Sequence, residues 1–157
     1  MNNLFKYIIG GLVVKSLCDF FYKEEPLQRR VFISHSWNKG SKGYKSLKKK
    51  FNDYDLKIYD HSIPSFKAFD ESNKKVLEKK FRNQMAYCSK IFVLANRGIK
   101  DTSFVMTEIK IAKEMNKEII AIKPHGQNGI PNFIRRNSTK IISNNINEIK
   151  KVLNDSY

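Results

Sequence analysis

Cysteine is almost missing from this chain: Cys18 and Cys88 are its only two among 157 residues. Two thiols so far apart build neither a disulfide framework nor a zinc site. The three histidines, His35, His61 and His125, have no ligand spacing such as HExxH. A reducing cytoplasm and no metal are therefore the default. Glycine-rich phosphate loops are also missing. Neither GxGxxG nor GxxxxGK[ST] occurs, which argues against a Rossmann dehydrogenase and a P-loop enzyme. Acids are scarce, with 15 against 30 lysines and arginines, a net charge of +15. Such a balance draws anions: nucleotides, nucleic acid or acidic lipid. However, Lys45, Lys48, Lys49 and Lys50, and Lys74, Lys75, Lys79 and Lys80, interrupt apolar positions as the solvated faces of predicted helices do. No aromatic and basic stripe for stacking bases accompanies them, so nucleic acid is disfavoured as a partner.

Long apolar runs are lacking too. The longest in the N-terminal segment is Tyr7–Val14, flanked by Lys6 and Lys15, and a spanning helix needs about 20 mostly apolar residues. No small-residue cleavage site follows the run, and no small residue precedes Cys18 as lipidation requires. What remains is periodicity. Leu4, Phe5, Ile8, Ile9, Leu12, Val13, Leu17, Phe20 and Phe21 form a broad apolar stripe on a predicted helix over residues 4–21. It packs on protein, promoting self-association, or lies on a membrane surface. We divide the chain into this segment, residues 1–25, and a main domain, residues 26–157, with Lys23–Arg30 as linker around Pro26. At 41% hydrophobic, the chain suffices for one domain with a full core and not for two.

From residue 30 onward the pattern alternates strand and helix. Strands are predicted at Arg30–Ser34, Leu56–Asp60, Lys90–Ala95, Glu118–Ile122 and Thr139–Ile142. Helices are predicted at Ser41–Tyr54, Glu71–Tyr87 (capped by Asp70), Ser103–Met115 and Ile146–Leu153. The third strand is apolar throughout, as a central parallel strand covered on both faces must be. The expected fold is α/β, a five-stranded parallel sheet with helices on both faces, with no internal repeat. The loops after strands one, three and four then gather at one edge, bringing His35, Ser36, Trp37, Asn96, Ser103 and Glu108 together. A response-regulator phosphoacceptor is disfavoured, because Ala95 and Asn96 stand where its acid belongs.

Glu108 is the residue with the most to say. On its helix Phe104, Glu108, Ile111 and Met115 share one face. A carboxylate thus lies in line with apolar side chains near a helix start, just beyond the C-terminal edge of a parallel strand, where open α/β sheets bind ligands. It is either a group for chemistry on a cationic centre or one half of an ion pair with Lys110 or Lys113.

Several segments together resemble one family. VFISHSW at 31–37 is similar to the first strand and loop of TIR domains, and YDHSIP at 59–64 to their second strand and its loop. RNQMAYCSKIFVLA at 82–95 and SFVMTEIKIAKEMNKEIIAIKPHGQNGIP at 103–131 resemble the bacterial TIR-like family, which includes the TIR-like subunit of the Thoeris anti-phage system. The likeness covers residues 30–153. It implies a flavodoxin-like TIR fold and, in many members, cleavage of NAD⁺ at the nicotinamide–ribose bond, with NAD⁺ as substrate and no cofactor. It places the family's catalytic glutamate on Glu108 and the preceding serine on Ser103. Phe104 stands where the family often has Trp.

The resemblance further implies a pocket lined from Ser34, His35, Ser36 and Trp37, and from Asp60, Asn96, Ser103 and Phe104. Trp37 would offer a ring for stacking, while Asp60 and Ser62 enter a loop and can equally stabilise a turn. It also implies a homo-oligomer and an ADP-ribose-derived signal, linear, cyclic or conjugated, that reaches a nucleotide-sensing effector. Two readings compete with the enzyme: a non-catalytic TIR-like adaptor, and a nucleotide-binding protein of the membrane surface.

Overall fold

A computed structural model describes residues 29–36, 42–63, 74–96 and 103–155. The predicted helix at 4–21, its linker up to residue 28, Trp37 and the Asp70 cap lie outside the described residues. Five strands, β1 (Arg29–Ser34), β2 (Ile58–Asp60), β3 (Lys90–Leu94), β4 (Glu118–Lys123) and β5 (Lys140–Ser143), pair in parallel in the order β2-β1-β3-β4-β5. That is the flavodoxin-like strand order, with its topological switch point between β1 and β3. Between and after the strands run α1 (Lys42–Asp53), α2 (Lys74–Ala86), α3 (Ser103–Glu114), α4 (Asn132–Asn137) and α5 (Ile146–Asn154).

Side chains alternate faces along each strand, and the two faces build two cores. Phe32, Ile91, Val93, Ile119 and Ala121 pack under Leu77, Phe81 and Met85 of α2, Val105, Ile109 and Ala112 of α3, and Ile134 of α4. Val31, Ile33, Phe92, Leu94, Ile120 and Ile122 pack under Leu47 and Phe51 of α1 and Ile149, Val152 and Leu153 of α5. All five β3 residues are buried, as its apolar run requires. Among the described residues no helix is long and apolar enough to cross a membrane.

The element boundaries differ from the sequence expectation where local bonding decides them. The first strand begins at Arg29, inside the expected linker, because its N–H bonds the Lys57 carbonyl at 3.0 Å. The second begins at Ile58 and not Leu56. Leu56 instead closes α1: its N–H reaches the Phe51 carbonyl at 2.8 Å while Asp55 turns left-handed at φ 47°. A similar turn ends α3, with Asn116 at φ 52° and the Lys117 N–H on the Ala112 carbonyl at 2.9 Å. The short helix α4 is absent from the sequence expectation. Its six residues are too few for periodicity to show; Ile134, fully buried, anchors it in the core, with Phe133 packed beside it.

At the N-terminal edge of the sheet the Lys90 ammonium is buried and bonds Glu118 at 2.5 Å. Lys140 lies 3.6 Å from the same carboxylate and 2.9 Å from Asp155. Removing Glu118 takes the directly bonded ion partner from a buried cation, leaving it the more distant Asp155. We expect Glu118→Ala to cost about 3 kcal/mol of stability, read as a lower midpoint in urea unfolding. A change near zero would show that Lys90 finds another partner.

Candidate functional site

The alternation that builds the cores also divides the end of β1. Phe32 faces the α2 and α3 side, so Ser34 does too; Ile33 faces α1, and His35 continues toward that side. Ser34, the last residue of β1, is fully buried and pairs with Val93 of the central strand. Its hydroxyl donates to Oε2 of Glu108 in a very short contact. Glu108 stands on the inward face of α3 with Val105, Ile109, Ile111 and Ala112 and is only 1% exposed. It is thus fully buried.

No cation pairs with Glu108 among the described residues. Lys110 lies 3.9 Å from Glu114, and Lys113 bonds Asn137 at 3.0 Å, so the ion-pair reading is not what the fold builds. Burial pushes the Glu108 carboxyl up to about 8, against the opposing pull of the Ser34 hydrogen bond. A protonated, neutral acid is therefore the resting form near neutral pH.

The other side of the β1 end carries a second cluster. The His35 ring Nδ1 lies 3.0 Å from the Ile33 carbonyl, and the ring stacks on Tyr44 of α1, centroids 4.4 Å apart and 12° from parallel. Burial lowers the His35 pKa, partly offset by the Ile33 bond and by Asp60. The Tyr44 hydroxyl donates to Asp60 at 2.6 Å. Asp60 also accepts from the Ser62 N–H at 2.9 Å and from the Ser62 hydroxyl, and Lys48 stands 3.3 Å away. Burial works to raise the Asp60 pKa, but the Ser62 and Tyr44 bonds and the Lys48 charge prevail and hold it below the usual range. Ser62 also accepts from the Ile33 N–H at 2.9 Å. Asp60 and Ser62 thus stabilise the turn and tie it to β1.

The remaining candidates are distributed around these two clusters. The Asn96 side chain lies against Gly43 at the start of α1, where a methyl added to the glycine would sit 3.6 Å from its amide nitrogen. Ser36 is half-buried beside His35. Ser103 is the exposed first residue of α3. Phe104 packs against the α3-side core and lines a surface groove of about 580 Å³ between α2 and α3. A neighbouring groove of about 440 Å³ runs on toward Phe133 and Asn137. Both grooves lie on the outward side of α3, and neither is lined by Glu108.

Tyr44, Lys48 and Gln127 are the residues that sequence reasoning missed as parts of this edge. Gln127 donates to the Ala95 carbonyl at 2.7 Å and to the Gly129 carbonyl, tying the loop after β4 to the end of β3. Its place within the PHGQNGIP turn was the available signal. Among the described residues no group of three His, Cys, Asp or Glu side chains is placed to hold a metal.

Fold and site together define a flavodoxin-like α/β domain with a buried, serine-bonded glutamate beside its switch point. The family model described as Thoeris protein ThsB, TIR-like domain, matches residues 32–129, which span both Ser34 and Glu108. The chain belongs to this family. No curated relative matches it. Among solved structures, the Clostridium botulinum CMP N-glycosidase BcmB is similar with a TM-score of 0.47 at 16% identity, over 80% of this chain and 94% of that one.

Proposed function

We propose that this protein cleaves NAD⁺ at the nicotinamide–ribose bond and passes on an ADP-ribose-derived signal in bacterial anti-phage immunity. The observation that carries the reading is Glu108: a buried carboxyl at the ligand-binding edge of a parallel sheet, with a serine hydroxyl and no cation beside it among the described residues. Such a group is costly to bury as a charge and lacks the neighbouring lysine that would mark a structural ion pair. A cationic ligand is what would make its charge favourable.

The chemistry follows from that placement. As the C1′–N1 bond breaks, its electron pair stays on the nicotinamide nitrogen, which leaves neutral and needs no general acid. Positive charge builds on the ribose. Glu108, which gives up its proton to solvent as the nicotinamide cation binds, faces that charge in a site of low dielectric, where it acts more strongly than in water. Water or an internal nucleophile then takes C1′ and releases a proton. One carboxylate suffices, unlike the paired carboxylates of ordinary glycosidases. Ser34 holds the carboxyl, and Trp37 is a candidate ring contact. The signal would reach a nucleotide-sensing effector by diffusion, and self-association of the domain, aided by residues 4–21, would complete the site.

The test is nicotinamide release from NAD⁺ at high protein concentration, with products separated by mass. Release that disappears in Glu108→Gln supports the enzyme. No release from the wild type in vitro, and no NAD⁺ loss in infected cells that express it, would leave the adaptor as the better reading.

A further inference from the structure

Helix α3 presents a second face to the outside. Its inward face holds Glu108, while its outward face is flanked by two hollows that meet at Met106 and Thr107. The hollow of about 580 Å³ has Leu77 of α2 on its far wall, and the hollow of about 440 Å³ has Phe133 of α4. Met106 stands between them and is 52% exposed. An exposed methionine between two apolar hollows is surface that gains by being covered, and its flexible thioether moulds to what covers it.

The surroundings of the hollows are positive. On α2, Lys74, Lys75, Lys79, Lys80 and Arg82 stand against Glu78. Lys74 lines the larger hollow, and Lys110 and Lys113 line the smaller one. Glu114 already has Arg82 and Lys110 beside it. On α4, Arg135 and Arg136 are exposed and no acid accompanies them. Two occupants from within the protein are mismatched to this rim. A second copy brings the same net charge of +15, and residues 4–21 carry Lys6 and Lys15 against Asp19. Acidic partners are the ones such a rim attracts.

We propose that the outward face of α3 docks an acidic amphipathic helix of a partner protein. The helix lies across α3 at Met106, sets one apolar anchor in each hollow and turns its carboxylates to the lysine and arginine rim. Residues seven positions apart on a helix share one face at a distance of about 10 Å, close to the spacing of packed helices. Anchors at that interval therefore reach the hollows on either flank of α3, as helix-in-groove recognition requires. The surface is separate from the reaction proposed for Glu108 and does not depend on it.

The experiment uses the full chain with its methionine methyl groups labelled with ¹³C. Four probes are titrated in turn: a synthetic amphipathic helical peptide with leucine anchors and glutamate flanks, its counterpart with lysine flanks, a peptide of residues 4–21, and vesicles of phosphatidylcholine with phosphatidylglycerol. The Met106 signal, assigned by its loss in Met106→Glu, should shift with the glutamate peptide while that of buried Met85 stays in place. Anisotropy should give the glutamate peptide at least about tenfold tighter binding than the lysine peptide, and the difference should shrink in high salt. Met106→Glu should weaken binding about tenfold or more. Lys110→Glu, on an exposed side chain, should weaken it less and make it less sensitive to salt. Equal binding of the two synthetic peptides, binding that ignores Met106→Glu, or no binding at all overturns the proposal. So does a Met106 shift that is larger with residues 4–21 or with the vesicles, which would make the chain's own segment or lipid the occupant.

Discussion

Glu108→Gln should lower the rate of NAD⁺ cleavage by about 10²–10³-fold, the usual cost of removing one preorganised electrostatic stabiliser from a transition state. Glutamine fills the same volume and still accepts the Ser34 hydroxyl, so the loss should fall on kcat more than on folding. Ser34→Ala should be milder. It removes the one hydrogen bond that favours the ionised form, and so pushes the Glu108 carboxyl further up. The pH profile supplies the second half of the argument. The free protein holds this carboxyl near 8, so kcat/KM should rise with pH and level off only above that value. In the complex a bound cation favours ionisation, so the rising limb of kcat should lie at lower pH. A Glu108→Gln enzyme that keeps its rate within a few-fold would assign the glutamate to packing alone.

Stability should respond to the same group in the opposite sense. The Glu108 carboxyl is pushed up to about 8 in the folded protein, against an ordinary value of 4.5. Between those values the folded state holds a proton that the unfolded chain has released, so folding weakens as pH rises. The full benefit is present below 4.5 and is lost by the time pH passes 8. A gap of this size is worth at most on the order of 4–5 kcal/mol, a large part of a typical domain's stability. Other groups titrate in the same window, so the comparison is with Glu108→Gln, which has no proton to lose. Urea unfolding from pH 5 to 8.5 should show the wild type losing stability relative to the variant. Parallel curves would mean that Glu108 already ionises in its ordinary range.

Much of the fold was legible because its physics is local and periodic. The apolar run Lys90–Ala95 announced a strand covered on both faces, and the helical spacing of Leu77, Phe81 and Met85 announced the face that covers it. Residues whose place depends on few neighbours were not legible. The helix α4 is held by Ile134 and the partly buried Phe133 and starts directly after Pro131. Glu108 itself stood out from its spacing on α3. Its partner could not be named from spacing, because Ser34 is distant in the chain and meets it only through sheet alternation at the end of β1. Tyr44 was not legible as part of this edge. Its hydroxyl acquires a role only where the fold brings Asp60 to it. The charge state of Glu108 was equally hidden, since burial and not sequence neighbours sets it.

The central claim, that Glu108 is a carboxyl kept neutral until a nicotinamide cation calls out its charge, is tested most directly by titrating it. The measurement is ¹³C NMR of the side-chain carboxyl, assigned with Glu108→Gln, in the free protein and with an uncleavable carbocyclic NAD⁺ analogue, with the reduced, neutral form of that analogue as control. The account predicts a titration near 8 in the free protein, a midpoint drawn below about 7 by the cationic analogue, and no such fall with the neutral one. A midpoint in the ordinary carboxylate range in the free protein, or one that ignores the charge of the nicotinamide ring, would contradict it.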